Sequence, residues 1–560
     1  MLNFETAVVR LSRDQGEGPV DDEWLEEVAV QAVGVVVHDY LDAPGRTFKI
    51  VLRSLVGYPV HLDRVIATFS GEMQTVLEHG WQSWSTVRSA RPSDIRPERS
   101  DAPRWFRGEM LADRDSAGAL VTVDTFCLTD TYVLGALTAA TCLLTFAVSE
   151  TAVETHYLLD DVILEPGMEF ELDTLWYREG PAGPNYSTYA ERAGLASNAR
   201  VDRGAPTGWC SWYHYFTNVT SEHIEENGKI AATHGLGLVQ IDDGWQAEIG
   251  DWSSTSPRFG TPIGDLATSI VADGGVAGLW SAPFLAIEGG KLATEHPDWL
   301  VLNDRGLPAT ALFHETWGGK VFALDTTRDD VLAHLLETYR HLSEQGFEYH
   351  KVDFLFAAGI PGVRSGDGLF TRAMALQRGL QAIREGIGDD AYLLGCGGPL
   401  LSVVGIVDAM RVSEDVAPFY EPKIFFPGFP EGTVATKNAI QQSVLRAPLH
   451  RRWFLNDPDC LLLRPSDTEL SPAERRVLAT SILGTGAYLV ASDDLSLYGS
   501  DEWETFNQLM DLQSAADSTL NLANPFALSP KVIGETYTLE INWNLPSAKL
   551  VDAKGSTVFE

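Results

Sequence analysis

The sequence is poor in basic residues. Lysine and arginine together number 41, against 78 aspartates and glutamates, which gives a formal net charge of −37 at pH 7. A surface with such an excess of negative charge repels phosphate backbones and anionic lipids. We therefore expect neither nucleic-acid nor membrane partners, and the composition favours a protein that acts on a neutral small molecule.

Cysteine is also scarce. The five cysteines are odd in number and widely spaced, with no CxxC pair, so the spacing predicts neither a disulfide framework nor a zinc site. The first twenty residues carry no basic start and no apolar leader, and the uncharged stretch at 131–149 is interrupted by threonines and a glycine. These absences predict a reduced, cytoplasmic protein without metal or cofactor, and a monomer is favoured over an oligomer.

The apolar content, 44% of 560 residues, is sufficient for several full cores. Residues 1–190 carry short apolar runs separated by turn residues, which is typical of an antiparallel β-sandwich. The stretch 181–206 is rich in glycine, proline, alanine and asparagine, and the domain boundary is predicted there. Residues 516–560 return to short alternating runs and predict a small C-terminal antiparallel β domain.

Between these parts, residues 191–515 alternate short apolar strands with amphipathic helical stretches, the pattern of parallel βα units. The predicted helices include 328–345, 369–387 and 472–483. Eight such units over about 300 residues predict a (β/α)8 TIM barrel. The fold class is therefore multidomain α/β + β. The eight candidate strands are 208–213, 238–242, 276–282, 349–354, 392–396, 409–413, 453–457 and 488–492.

One of these strands, 349–354, carries a lysine and an aspartate two residues apart. Side chains alternate across a strand, so Lys351 and Asp353 point to the same side. The lysine is expected to lower the pKa of Asp353 and to keep it ionised, as a carboxylate nucleophile requires. The alternative is a structural ion pair at the end of a strand.

The carboxyl ends of barrel strands form the active site in this fold, and here they are rich in aspartate and tryptophan. Aromatic rings and carboxylates without a basic cluster describe a carbohydrate site better than a phosphate site. Asp242 and Asp243 could bind a metal, but no further ligand stands at suitable spacing, so we expect none. Trp280 and Cys396 also stand at strand ends. The alternative to a role in the site is core packing for Trp280 and inert packing for Cys396. Trp81 and Trp84, in a polar loop, are sugar platforms or core residues.

Glycoside hydrolysis requires two carboxylates that flank one bond. Asp353 is the first candidate and Asp415, two strands further round the barrel, is the second. Arg411 lies four residues before Asp415 and could bind substrate or tune that carboxylate. If the negative charge of Asp415 is less compensated by a nearby cation than that of Asp353, Asp415 keeps a proton and acts as the acid. This is the division of labour of a retaining mechanism.

Six barrel motifs resemble the signatures of glycoside hydrolase family 36 α-galactosidases, in particular the compact bacterial members. The segment GWQSWS at 80–85 is also similar to the family's sandwich domain. The sequence departs from the family pattern at Tyr213, which follows Trp212, and at 281–284. The second departure leaves the details of the subsites, and with them the preferred leaving group, open. The motifs are GWCSWY (208–213), QIDDGW (240–245), KVDF (351–354), LGCG (394–397), RVSEDVAP (411–418) and LNDPD (455–459).

The resemblance implies that Asp353 is the nucleophile, that Asp415 is the acid/base, and that Asp242 and Asp243 bind the galactose 4- and 6-hydroxyls. Trp84 or Trp81 would lean over the rim. Further residues that it places at the sugar pocket are Lys351, Arg411, Cys396 and Trp280, and Trp212 is a candidate substrate contact at the end of the first barrel strand.

The predicted function is therefore a retaining exo-α-galactosidase that hydrolyses oligosaccharides such as raffinose or melibiose by double displacement. Three alternatives stay open at this point. They are the same mechanism on an α-N-acetylgalactosaminide or α-glucoside, galactosyl transfer to another sugar, and a sugar-binding protein without turnover.

Overall fold

The structure is a computed structural model. It describes residues 2–12, 30–80, 82–85, 87–92, 121–366, 368–423 and 434–560. Trp81, one of the two predicted sandwich-domain tryptophans, lies outside the described residues. Within the described part of the chain, no helix combines the length and the apolar character needed to cross a membrane.

The N-terminal region consists of two antiparallel sheets that face each other, with the short hairpin β5–β6 beside them. Phe48 of one sheet packs against Phe4 and Phe69 of the other, with ring centroids 6.0 and 5.1 Å away. The first sheet has the order β1-β4-β11-β10-β7 and the second β12-β3-β13-β9-β8, with β2 paired to β3. The strands are β1 Asn3–Leu11, β2 Val33–Asp42, β3 Gly45–Ser54, β4 Val60–Ser70, β5 Val76–His79, β6 Val87–Ala90, β7 Val121–Asp124, β8 Phe126–Leu128, β9 Tyr132–Ala136, β10 Leu143–Val148, β11 Ala152–Leu164, β12 Glu169–Glu171 and β13 Leu175–Glu179.

The stretch 181–206, where the sequence places the domain boundary, contains a helix, α1 (Ala182–Ala196), which the sequence did not predict. Its glycines serve close packing rather than a turn. A Cβ on Gly183 would lie 2.3 Å from the Leu522 carbonyl oxygen, and one on Gly194 would lie 1.8 Å from that of Arg452. Pro181 precedes the helix and Pro184 stands in its first turn, where a missing N–H has no intrahelical partner to lose.

The central region contains an eight-stranded parallel sheet of order β25-β24-β23-β22-β18-β15-β14-β26. Its ends meet, because the Leu461 amide donates to the Val490 carbonyl at 2.8 Å and the Ser492 amide donates to the Leu461 carbonyl at 3.1 Å. The sheet is therefore barrel-like, and its strands match the eight predicted segments within a few residues. They are β14 Thr207–Cys210, β15 Leu238–Ile241, β18 Val276–Ser281, β22 Phe347–Val352, β23 Tyr392–Gly395, β24 Ala409–Arg411, β25 Leu455–Asp457 and β26 Leu489–Ala491.

Helices follow most of these strands, whereas turns alone connect β23 to β24. Two insertions that the sequence did not predict lie at the carboxyl ends of β15 and β18. They are the hairpin β16 (Gln246–Glu248) and β17 (Asp251–Thr255), and the small sheet of β19 (Leu285–Ile287), β20 (Thr310–His314) and β21 (Gly319–Ala323). The remaining helices are α2 Trp212–Tyr215, α3 Ser221–Thr233, α4 Ile263–Ala272, α5 Lys291–Glu295, α6 Asp329–Glu344, α7 Arg372–Ile387, α8 Thr436–Leu445, α9 Pro472–Thr485 and α10 Ser500–Ala516.

The C-terminal residues form a five-stranded antiparallel sheet, as predicted. It packs on the central region, where Gly484 of α9 lies against Leu539 and the Tyr420 hydroxyl donates to the Trp543 carbonyl at 2.8 Å. The strands are β27 Asn521–Leu522, β28 Lys531–Ile533, β29 Tyr537–Asn542, β30 Ser547–Asp552 and β31 Thr557–Phe559.

Candidate active site

A cavity of about 230 Å³ opens at the carboxyl ends of the central strands. This is the space of about seven or eight water molecules, the scale of one sugar ring. Eight predicted site residues line it, namely Trp84, Trp212, Asp242, Asp243, Trp280, Lys351, Asp353 and Asp415, together with His314, Trp317, Phe354, Glu414 and Val434.

Asp353 follows β22 and is held by two N–H donors. The Trp280 indole donates to Oδ2 at 3.0 Å and the Phe354 amide donates to Oδ1 at 2.8 Å. Phe354 has a φ of 54°, a left-handed conformation that is uncommon for a residue other than glycine. The strained backbone thus turns the chain so that its own amide faces the Asp353 carboxylate.

The sequence predicted an ion pair between Lys351 and Asp353, but the structure does not form it. The Lys351 ammonium donates to Asp242 Oδ2 at 2.9 Å, and both side chains are buried. Burial alone would lower the pKa of Lys351, but the Asp242 carboxylate outweighs it and holds that pKa well above its usual value. Inward-facing side chains of different strands converge inside a barrel, so the nearest carboxylate comes from β15 rather than from Lys351's own strand.

Asp242 is buried among donors that fix both of its oxygens. The Gln240 side-chain amide donates to Oδ2 at 2.6 Å, and the Asp243 backbone amide donates to Oδ1 at 3.0 Å. Its own amide donates to Ser211 Oγ at 2.9 Å. Together with Lys351, these groups hold one carboxylate at the inner wall of the cavity without freedom to rotate.

The neighbouring Asp243 accepts from two side chains. The Gln246 amide donates to Oδ1 at 2.6 Å and the Trp317 indole donates to Oδ2 at 2.8 Å. Burial raises the pKa of Asp243 to about 6; these two hydrogen bonds lower it, while the charges of Asp242 and Asp353 raise it further.

Asp415 follows β24 and lines the cavity with its side chain 36% exposed. Removal from bulk water raises its pKa to about 6, the charge of Asp459 adds to this, and Arg411 and Lys351 oppose it. The carboxyl is therefore poised to hold and release a proton near neutral pH.

Arg411 lies behind Asp415 rather than on the cavity wall. Its guanidinium donates to Asp415 Oδ1 at 3.2 Å and to Asp457 Oδ2 at 2.9 Å, and it pairs with Asp459 Oδ1 at 2.7 Å. The structure thus places this predicted substrate contact among three carboxylates, where it orients Asp415.

Cys396, another predicted pocket residue, is buried outside the lining of the cavity. Burial raises the pKa of its thiol, and the adjacent Asp353 carboxylate, which accepts a hydrogen bond from it, raises it further. The thiol is therefore a neutral group behind Asp353.

Trp84 reaches the cavity from the N-terminal region. Its ring packs edge-on against Phe354 at 5.1 Å, and Gly397 leaves room for it, since a Cβ there would lie 2.7 Å from the indole. The Gly397 amide donates to Ser83 Oγ at 2.8 Å. The fully buried Arg446 donates to the carbonyl oxygens of Gln82, Ser83 and Ser85 and to that of Val412, which clamps the loop to β24.

Sequence reasoning missed Trp317 and His314, which come from the insertion after β18. The His314 ring stacks on Trp317 at 3.9 Å, and Trp317 packs against Phe354 at 5.1 Å. Burial lowers the pKa of His314 to about 4. A tryptophan beside glycines in a polar stretch, the signal used for Trp84, was also present at 317–319.

No group of three or more histidine, cysteine, aspartate or glutamate side chains with metal-binding geometry occurs among the described residues. In the carboxylate pair Asp242 and Asp243, which the sequence offered as a possible metal site, Asp242 already accepts a hydrogen bond from the Lys351 ammonium.

Residues 186–358 match the family model described as Melibiase. In sequence, the chain is 29% identical over 188 residues to the α-galactosidase AgaA of Geobacillus stearothermophilus, which covers 31% of this chain and 25% of that protein. It is also 29% identical over 160 residues to an A type blood α-D-galactosamine galactosaminidase of Flavonifractor plautii, over 27% of this chain and 14% of the relative. These alignments therefore span a quarter or less of the curated relatives.

The structural match is more extensive. TtGalA, an α-galactosidase from Thermus thermophilus solved with p-nitrophenyl α-D-galactopyranoside, superposes with a TM-score of 0.69 at 24% identity, over 90% of this chain and 98% of that one. The complex of TtGalA with stachyose superposes with a TM-score of 0.69 at 25% identity, over 85% of this chain and 99% of that one. AgaA, described as a GH36 α-galactosidase, shares the fold with a TM-score of 0.59, at 14% identity over 96% of this chain and 78% of that one. In sequence and in fold, the chain is therefore similar to α-galactosidases, among them AgaA, which is described as a GH36 enzyme.

Proposed function

We propose that this protein is a retaining exo-α-galactosidase that removes terminal α-galactosyl residues from oligosaccharides such as raffinose or melibiose. The observation that carries the proposal is one cavity lined by two unlike carboxyl groups. Asp353 is fixed by N–H donors, whereas Asp415 has a pKa raised to about 6. A pair of this kind supplies the nucleophile and the proton donor of glycoside hydrolysis.

The same proposal includes the domain layout. Residues 1–190 form a β-sandwich, 191–515 a (β/α)8 barrel that holds the catalytic groups, and 516–560 a small β domain. The facing sheets of the N-terminal region and the meeting of β25 with β26 through Leu461 support it.

In the first step, an Asp353 oxygen attacks the anomeric carbon while the bond from that carbon to the leaving oxygen breaks. Protonated Asp415 gives its proton to the leaving oxygen, so the aglycone departs as an alcohol. The product is a galactosyl ester of Asp353 with inverted configuration. The donors from Trp280 and Phe354 hold the attacking carboxylate in place.

In the second step, ionised Asp415 takes a proton from a water molecule whose oxygen attacks the anomeric carbon. The ester bond breaks, Asp353 regains its negative charge, and galactose leaves with its original configuration. Arg411 keeps the Asp415 carboxyl aimed at the cavity in both protonation states.

Galactose binding rests on the inner wall of the cavity. Asp242 and Asp243 accept hydrogen bonds from sugar hydroxyls, in the role proposed for the 4- and 6-positions, and Lys351 can donate. Trp84 and Trp212 offer apolar faces to the ring. The complexes of TtGalA with stachyose and a nitrophenyl galactoside support a neutral galactoside as substrate.

One alternative substrate has a specific observation in its favour. A relative from Flavonifractor plautii is named a galactosaminidase, so an α-galactosaminide could take the place of the galactoside with the same two carboxyl groups.

The test uses p-nitrophenyl α-galactoside, α-N-acetylgalactosaminide and α-glucoside with the wild type, Asp353→Ala and Asp415→Ala. We expect galactoside turnover that falls by roughly 10³-fold or more in Asp353→Ala, because the nucleophile is removed. Turnover of a different sugar would keep the mechanism and overturn the specificity, whereas full activity of Asp353→Ala would overturn the mechanism.

Azide distinguishes the two roles. In Asp353→Ala, azide replaces the nucleophile and should yield β-galactosyl azide by one inversion. In Asp415→Ala, azide replaces water in the second step and should yield α-galactosyl azide by two inversions. The opposite pattern of anomers, read by proton NMR, would show that the roles are exchanged.

A further inference from the structure

Phe216 has a strained backbone beside the cavity. At the end of the short helix α2 its φ is 48° and its ψ is −146°, a region that only glycine adopts without strain. The residue is 44% exposed, so burial of its side chain does not offset the strain. A bulky, exposed side chain in a strained position is characteristic of functional sites.

The surrounding structure holds the strained position firmly. The Tyr213 amide at the start of α2 donates to Ser492 Oγ at 2.8 Å, and the Tyr215 ring stacks on His223 at 4.2 Å. On the other side, Thr217 lies against Gly244, where a Cβ would meet it at 3.0 Å. The backbone at Phe216 is therefore held in place from both sides.

Phe216 and Trp212 form an aromatic corner. Their ring centroids are 5.2 Å apart and the planes meet at 77°, so the two faces stand nearly at right angles. Trp212 lines the cavity, and the hydroxyl of the next residue, Tyr213, donates to the Asp459 oxygen that also accepts from the Val416 amide, beside Asp415. The corner therefore lies on the side of the cavity that holds the proton donor, where a leaving group emerges.

We propose that Trp212 and Phe216 form a subsite for the leaving group and that its ligand is a neutral sugar ring. Sugar rings carry apolar C–H faces that pack on aromatic side chains. Five carboxyl groups and one lysine line the cavity, so an anionic leaving group is repelled. The inference rests on the proposed function and assigns to two named residues the binding of the sugar that leaves.

The experiment compares raffinose, whose leaving group is a sugar, with methyl α-galactoside, whose leaving group is too small to reach the corner. For Phe216→Ala we expect kcat/KM on raffinose to fall roughly 3- to 10-fold, the range of one aromatic contact. Methyl α-galactoside should change less than about 2-fold, and Phe216→Trp should restore raffinose turnover. Tyr58→Ala, an exposed aromatic residue of the N-terminal region, is the matched control and should change neither substrate.

Equal losses on both substrates would overturn the subsite, because they would show that Phe216 only supports the catalytic groups. Unchanged raffinose turnover would also overturn it. Melting temperatures check folding, and Phe216→Gly, which relieves the backbone strain while it removes the ring, replaces the alanine variant if that variant is unstable.

Raffinose binding to Asp353→Ala, measured by calorimetry with and without Phe216→Ala, tests the subsite independently of turnover. Loss of the preference for raffinose over methyl α-galactoside is expected, and an unchanged preference would contradict the subsite. Absence of turnover of both substrates by the wild type would overturn the proposed function instead.

Discussion

The buried ion pair between Lys351 and Asp242 allows a quantitative test of the site. The charged atoms are 2.9 Å apart, and the side chains are 7% and 3% exposed. Removal of one partner of a buried pair leaves an uncompensated charge and costs about 3–5 kcal/mol. Because Gln240 and the Asp243 amide still donate to Asp242, we expect the lower value, about 3 kcal/mol, for Lys351→Met.

This free energy translates into a measurable shift of the melting temperature. The central sheet and its helices span residues 207–516, about 310 residues, and an unfolding entropy of about 2.1 cal/mol/K per residue gives about 0.65 kcal/mol/K. Lys351→Met should therefore lower the melting temperature by about 5 °C. The double variant Lys351→Met/Asp242→Asn should regain most of that loss, because neither charge then remains buried.

The assay is differential scanning calorimetry at pH 7 on the wild type, the two single variants and the double variant, which yields the coupling energy of the pair. A second cycle combines Lys351→Met with Asp353→Asn and should give a clearly smaller coupling energy, because Lys351 bonds to Asp242. A larger coupling with Asp353, or a double variant no more stable than Lys351→Met, would refute the pairing seen in the structure.

Four further predictions concern pH, stereochemistry and backbone strain. Asp415 must be protonated to act as the acid, and its pKa of about 6 predicts that kcat/KM falls with rising pH above about 6; a profile flat to pH 8 would contradict this. The raised pKa of Asp243 means that folding favours its protonated form, and this stabilisation is lost as pH rises through about 6. Asp243→Asn lacks this loss. Its free energy of unfolding, measured by denaturation, should therefore gain about 2 kcal/mol relative to that of the wild type between pH 4 and pH 7. Retention predicts α-galactose as the first product seen by proton NMR, and β-galactose first would indicate inversion. Phe216→Gly should melt at a higher temperature than Phe216→Ala, because glycine relieves about 1 kcal/mol of strain at a positive φ.

The eight central strands could be found from the sequence because parallel strands are buried on both faces and read as continuous apolar runs. Their topology brings all the carboxyl ends to one edge, so Asp242, Asp353 and Asp415 could be expected together before any coordinates were known. The helix α1 escaped this reasoning because glycine and proline indicate turns in a sequence, whereas here the glycines allow close contact with Arg452 and Leu522.

The sequence by itself determined which residue types stand at the strand ends, and with them the class of chemistry. Only the tertiary structure decided their partners. A period of two places Lys351 and Asp353 on one side of a strand, but the long lysine side chain bonds to the nearest carboxylate, which comes from β15. Trp317 reaches Asp243 from an insertion, and Trp84 arrives from another region. Contacts between segments far apart in the chain depend on packing in three dimensions, which local periodicity does not encode.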